Sequence, residues 1–162
     1  GNRDFMLGEQ FAADIGGTLL ADVTAMEIAG APALVLHGDT LCTDDADYQQ
    51  FRTLVHSPDW QAEMMEKSIG ERRELALQLR ALSIDAASNK AEDIMDVNTA
   101  AVAKLMSEHN VATIIHGHTH RPARHTLAAG ERIVLGDWTD QRGWLLRENG
   151  GDLSLEHFSL SH

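Results

Sequence analysis

The chain has 162 residues, 43% apolar and 23% charged, with a mean hydropathy of −0.24; this excludes a disordered or fibrous polymer and is long enough for one domain with a buried core. Its 25 acidic against 13 basic residues give a formal charge of −12. That balance argues against sequence-independent nucleic-acid binding, which needs clustered cations to displace counterions, but leaves open a phosphate ligand held through metal ions.

Residues 4–15 read as a short helix, with Asp4 as its N-cap, Met6, Leu7, Phe11 and Ile15 as apolar positions and Gly16-Gly17 as its stop. A hairpin follows, with strands over 18–21 and 23–28. Beyond Gly30 and Pro32, the run Ala33-Leu34-Val35-Leu36 reads as a buried strand that stops at His37. Residues 44–106 switch to helical spacing, with Leu75, Leu79 and Leu82 on one face, Ile94, Ala101, Val102 and Leu105 on another, and a break over the small, polar stretch 83–90. Asn110 is placed to cap the last helix, and Val111-Ala112-Thr113-Ile114-Ile115 is a β-branched strand leading into His116-Gly117-His118-Thr119-His120-Arg121-Pro122. The remainder is strand-rich over 133–135, 143–146 and 153–158, with Glu148-Asn149-Gly150-Gly151 turning between the last two. The alternation of strands and helices places the chain in the α/β class.

The lone Cys42 cannot close an intrachain disulfide, so the fold does not depend on an oxidising compartment and a cytosolic setting is the default. No apolar run approaches the roughly 18 to 20 residues that span a bilayer, and no signal-peptide pattern is present.

Neutral imidazoles ligate transition metals, and two of them one residue apart on a turn can address neighbouring positions of a metal centre. His118-Thr119-His120 has that spacing. An H-x-H pair alone reads equally well as structural or solvated. Repetition adds the weight: Gly1-Asn2-Arg3-Asp4, His37-Gly38-Asp39-Thr40 and Gly117-His118-Thr119-His120 have the character of strand-end loops, where open α/β sheets place their ligands.

In this order the three segments resemble the later motifs of the calcineurin-like metallophosphoesterases, G-N-H/R-D, a G-H or H-G pair, and G-H-x-H. The likeness narrows further. Gly1-Asn2-Arg3-Asp4-Phe5, Leu36-His37-Gly38-Asp39-Thr40-Leu41-Cys42-Thr43-Asp44-Asp45, Ile94-Met95-Asp96-Val97-Asn98 and Ile115-His116-Gly117-His118-Thr119-His120-Arg121-Pro122 together resemble the UDP-2,3-diacylglucosamine hydrolases of Gram-negative lipid A biosynthesis, over essentially all 162 residues.

The resemblance implies a metallophosphoesterase sandwich of two mixed β-sheets flanked by helices. Residues 1–162 would form a partial domain, N-terminally truncated, with a helical cap inserted at about 45–107. It implies hydrolysis of the pyrophosphate of UDP-2,3-diacylglucosamine by water attack on the α-phosphorus, giving UMP and 2,3-diacylglucosamine 1-phosphate. Asn2, His37 and His118 would be ligands of one Mn²⁺ and His120 a ligand of a second, with His116 not a ligand. Arg3 stands where many relatives carry a catalytic His, and its guanidinium would stabilise phosphoryl charge without donating a proton. Asn2, Arg3, Asp45, Ser83, Lys90 and His118 match substrate-contact positions, with Tyr48 and Arg80 as neighbours in the cap. Ala87 replaces a family contact Asn, leaving Asn89 as a substitute. The family's D-x-H and bridging-Asp G-D motifs would precede Asn2. The implied setting is peripheral contact with the cytoplasmic face of the bacterial inner membrane, with the lipid as partner and no nucleic acid or protein partner.

Blander readings apply elsewhere. His56, His109, His125, His157 and His162 read as ordinary histidines, Cys42 as a bystander, and Asp44-Asp45-Ala46-Asp47 as a solvated helix start favoured by the helix dipole. Asp39 either orients His37 or caps a turn, and Arg121 with Arg124 would form a local positive patch. Two competing functions are another metallophosphoesterase, such as a nucleotide phosphodiesterase, and a binding module that keeps the fold without the chemistry. Asp45, Ser83 and Lys90 argue against the first.

Overall fold

A computed structural model of the chain describes residues 1–2, 4–88 and 94–160, with side chains outside 84–88. It contains two compact units, one formed by Gly1–Leu41 with Val97–His162 and the other by Cys42–Asp96.

In the first unit, β1 (Val23–Ile28), β2 (Ala31–Leu36), β3 (Thr113–His116), β4 (Ala123–Leu127) and β5 (Gly130–Val134) form one sheet in the order β1-β2-β3-β5-β4. The central strands β2, β3 and β5 run parallel, and β1 and β4 flank them antiparallel. Parallel strands covered on both faces need continuous apolar runs rather than alternation. Accordingly Ala33, Leu34, Ile114, Ile115, Ile133 and Val134 are all 4% exposed or less. Burying each of the larger side chains contributes about 2 kcal/mol. A second sheet, β6 (Arg142–Asn149) with β7 (Asp152–Ser159), is antiparallel and two-stranded among the described residues, so only the first sheet is mixed.

Local chemistry sets the boundaries. Helix α1 is confined to Glu9–Asp14, shorter than the expected 4–15, because Asp4 and Phe5 both donate their backbone N–H to the Gly1 carbonyl and close a tight turn instead. Its stop is as expected: Gly16 takes φ +67° and Gly17 donates back to the Ala12 carbonyl. Residues 18–21 are exposed and form no strand. The hairpin lies one element later, between β1 and β2, where Ala29 and Gly30 have φ of 55° and 74° and build the left-handed two-residue turn that suits twisted strands. Strand β4 has no counterpart in the sequence reading, since its Arg124-His125-Thr126 is polar, as an edge strand tolerates. Helix α5 (Thr99–His109) starts at Asn98, whose Oδ1 accepts from the N–H groups of Ala100 and Ala101 at 2.9 and 3.0 Å. Buried Val102 and Met106 anchor it, and Asn110 ends it at φ 51° as expected.

The Cys42–Asp96 unit consists of α2 (Ala46–Val55), α3 (Pro58–Glu66) and α4 (Ile69–Ser88). Each start is capped. Asp45 accepts from Tyr48 N–H at 3.0 Å, Ser57 accepts from Trp60 N–H with Pro58 in the first turn, and Ser68 and Glu71 exchange hydrogen bonds as a capping box. The expected break over 83–90 does not open at its start, because α4 continues to Ser88 through the strong helix formers Ala86 and Ala87. No helix among the described residues is long and apolar enough to cross a membrane.

Candidate metal centre

Because β2 and β3 are parallel neighbours with Leu36 beside His116, the loops leaving their carboxyl ends start side by side. His37 follows β2 directly, and His118 and His120 follow β3. The Gly117 N–H donates to the His37 carbonyl at 2.9 Å, clamping the two loops just past the ladder. The imidazoles of His37 and His118 meet edge to face, with centroids 4.8 Å apart and planes at 66°.

The backbone is bent to allow this. Gly38 sits at φ +111° with no room for a side chain: a β-carbon there would lie 2.7 Å from His116 Nδ1 and 3.2 Å from the Gly117 carbonyl oxygen. His118 and His120 take φ of 67° and 54°, left-handed conformations that cost a residue with a β-carbon about 1 kcal/mol or more. Such strain concentrates where side-chain placement matters.

Burial, and then the charge that His37 would carry, hold His118 down to a pKa of about 4 from the usual 6.5; nearby Asp39 opposes this, while His120 and His116 add to the lowering. The ring is therefore neutral near pH 7, the state that ligates metals. Between about 6.5 and about 4 the unfolded chain takes up a proton on this group that the folded chain refuses. His118 thus lowers stability progressively as pH falls through that window and has no such effect above it. An NMR titration of the metal-free protein is expected to place the His118 midpoint close to 4; a midpoint at the ordinary histidine value would contradict this environment.

His37 Nδ1 is buried and lies 3.0 Å from Asp39 Oδ1, though out of line for a hydrogen bond. Asp39 is itself buried and opens a single 3₁₀ turn over Asp39–Leu41. A carboxylate beside one ring nitrogen favours presenting the other as a metal donor. The Gly1 turn packs on that other side: a β-carbon on Gly1 would come within 2.9 Å of His37 Cδ2 and 3.3 Å of its Nε2. Half-buried Asn2 belongs to the same turn.

The structure therefore brings together His37, His118 and the turn containing Asn2, with exposed His120 two residues beyond His118. Arg3, Lys90 and Asn89 lie outside the described residues, as does the side chain of Ala87. Asp45, Tyr48, Arg80 and Ser83 belong to the Cys42–Asp96 unit. There Asp45 is a buried helix cap rather than a solvated acid, Tyr48 is half-buried, and exposed Arg80 and Ser83 share one face of α4 by their three-residue spacing. Two imidazoles and an Asn amide oxygen form a mixed nitrogen and oxygen donor set that a divalent first-row transition ion can accept. They fit as part of a centre, since among the described residues no three His, Cys, Asp or Glu side chains gather around one point.

Arg124 does not join a free positive patch. Its guanidinium is engaged with Glu131 at 2.7 to 3.0 Å and donates to the Leu153 carbonyl. The sequence reading also passed over Arg132, which is 8% exposed on β5 with Nη1 3.3 Å from Nε2 of the fully buried His116. Its signal was a charged residue flanking the apolar run Ile133-Val134.

No protein-family model matches the chain. Among curated proteins it is 49% identical over 164 residues to a UDP-2,3-diacylglucosamine hydrolase of Cellvibrio japonicus, covering 99% of this chain and 68% of that protein. It is also 49% identical over 165 residues to the protein of the same name in Chromohalobacter salexigens, and 44% identical over 165 residues to that of Marinobacter nauticus, spanning about two thirds of each. Among solved structures, Vacuolar Protein Sorting 29 from Cryptosporidium parvum aligns with 89% of this chain and 59% of its own, at 7% identity and a TM-score of 0.40, a remote likeness.

Proposed function

The chain belongs to the UDP-2,3-diacylglucosamine hydrolase family, and from that premise we propose that the strand-end histidines form part of a divalent-metal centre, two Mn²⁺ ions in the full arrangement, that cleaves the pyrophosphate of UDP-2,3-diacylglucosamine. The protein is a hydrolase of lipid A biosynthesis, and its products are UMP and 2,3-diacylglucosamine 1-phosphate. The observation that carries the site assignment is the packing of His37 and His118, 4.8 Å apart, at the carboxyl ends of adjacent parallel strands.

Asn2, His37 and His118 would hold one ion and His120 would contribute to the other. When bound, the ions supply Lewis-acid stabilisation of the phosphoryl charge and make water a competent nucleophile near neutral pH. The chain's own residues prepare for this. Burial keeps His118 neutral and available, Asp39 stands beside Nδ1 of His37, and the Gly117-to-His37 hydrogen bond holds the two loops together. Arg3, adjacent to Asn2 in sequence, would place a permanent positive charge at the phosphoryl oxygens, stabilising charge that develops in the transition state. Asp45, Tyr48, Arg80, Ser83 and Lys90 would select the substrate from the cap. Because the substrate is a lipid, the protein would work peripherally at the cytoplasmic face of the inner membrane.

The test is a side-by-side assay of the complete gene product with Mn²⁺, on UDP-2,3-diacylglucosamine and on simple phosphodiesters. UMP release confined to the lipid substrate is expected. Equal or faster cleavage of the phosphodiesters would favour a general phosphodiesterase.

A further inference from the structure

His116 and Arg132 form a buried pair with no role in the reading above. His116 is 1% exposed and Arg132 8% exposed. Strands β3 and β5 are parallel with Ile114 beside Arg132 and His116 beside Val134, so Arg132 and His116 sit two positions apart on one face of neighbouring strands. Arg132 Nη1 lies 3.3 Å from His116 Nε2, and His116 Nδ1 lies 2.9 Å from the Gly117 carbonyl oxygen.

These partners admit one protonation pattern. A guanidinium only donates, so Nε2 must accept; a carbonyl oxygen only accepts, so Nδ1 must carry the hydrogen. An imidazolium would set N–H against N–H at Nε2, and the opposite neutral tautomer would fail at both contacts. The ring is thus locked, and it touches both histidine loops. Through Nδ1–H it holds the Gly117 carbonyl, part of the peptide that leads into the left-handed His118. On the other side Gly38 lies flat against the same nitrogen, where a β-carbon would come within 2.7 Å.

We propose that His116 is a positioning residue, fixed by Arg132 as the neutral Nδ1–H tautomer, that sets the Gly117-His118 peptide and seats the His37-Gly38 loop. The inference rests on the reading of His37 and His118 as metal-ligating positions. It assigns His116 no contact with metal or substrate.

The tautomer is read directly by two-bond ¹H–¹⁵N correlation spectra of the ¹⁵N-labelled complete gene product near pH 7. A protonated Nδ1 and an unprotonated Nε2 at His116 are expected; the Nε2–H form or an imidazolium would overturn the proposal. Substitutions add a second readout, Mn²⁺ binding followed by electron paramagnetic resonance. In His116→Asn the amide N–H can replace Nδ1–H, whereas His116→Gln places its amide where Nε2 was. The Asn variant is expected to stay within about threefold of wild type and the Gln variant to lose about tenfold or more, the range typical of groups that orient ligands. A merely space-filling role predicts the reverse order, since Gln is nearer His in volume, and that order would overturn the proposal. Arg132→Lys is expected to bind Mn²⁺ better than Arg132→Met. If the variants fail to fold, the wild-type tautomer still decides. If the wild-type protein hydrolyses nothing, the functional reading fails while the spectra judge this inference separately.

Discussion

Alanine at His37 or at His118 is expected to lower kcat/KM for UDP-2,3-diacylglucosamine about a thousandfold, equivalent to about 4 kcal/mol of transition-state stabilisation. The magnitude follows from what each ring would supply. An imidazole at the end of a strand is a fixed donor, and removing it takes away part of the charge stabilisation on the phosphoryl group, typically worth several kcal/mol. Neither ring is a main element of the core, which is built from Leu34, Ile114, Ile133 and their neighbours. Thermal unfolding of the metal-free variants should therefore shift by only a few degrees, separating lost chemistry from lost fold. The two substitutions should also be strongly non-additive, because both rings would serve one centre, so the double variant should be scarcely worse than either single one.

Gly38→Ala is expected to be nearly as damaging to activity, about a hundredfold or more, and to destabilise the protein by about 2 to 4 kcal/mol. Two costs coincide there. The φ of +111° is one that a β-carbon disfavours, and the added atom would meet His116 Nδ1 at 2.7 Å and the Gly117 carbonyl oxygen at 3.2 Å. Neither neighbour can retreat easily, because His116 is fully buried and Gly117 is tied to His37 by its N–H. The control is Gly30→Ala, also at positive φ (+74°) but with nothing within 4 Å of the new atom. It should cost only about 1 kcal/mol and leave hydrolysis unchanged. Chemical denaturation and initial rates measured on both variants distinguish general backbone strain from the specific seat beneath the histidine loops.

Features with local chemical causes were legible in the sequence. The apolar runs of β2 and β3 mark strands, the first of them buried, the polar residues at their ends mark the candidate site, and Asn110 marks the stop of α5, where φ is 51°. Features decided by tertiary partners were not. The β1–β2 hairpin turns on Ala29-Gly30, and an alanine at φ 55° is not a residue from which to read a left-handed turn. Asp4 could cap a helix, yet its own backbone N–H is taken by the Gly1 carbonyl. Edge strand β4 carries too little apolar signal to stand out. Arg132 shows why a buried charge escapes sequence reading: it lies at the border of an apolar run, and only the register of β3 against β5 reveals that it reaches His116. The histidines divide in the same way. The H-x-H spacing holds for 116/118 as well as for 118/120, so spacing alone does not set His116 apart; the family resemblance does, and the structure adds that polar partners stand at both of its ring nitrogens.

The central claim is that this protein cleaves a nucleotide-linked lipid pyrophosphate by water attack on the α-phosphorus at the strand-end histidines. Hydrolysis of UDP-2,3-diacylglucosamine by the complete gene product in ¹⁸O-labelled water, with both products weighed by mass spectrometry, tests it most directly. The expected result is one ¹⁸O in UMP and none in 2,3-diacylglucosamine 1-phosphate, with product formation slowed about a thousandfold in His118→Ala. Label in the lipid product, or undiminished turnover by His118→Ala, would contradict the account.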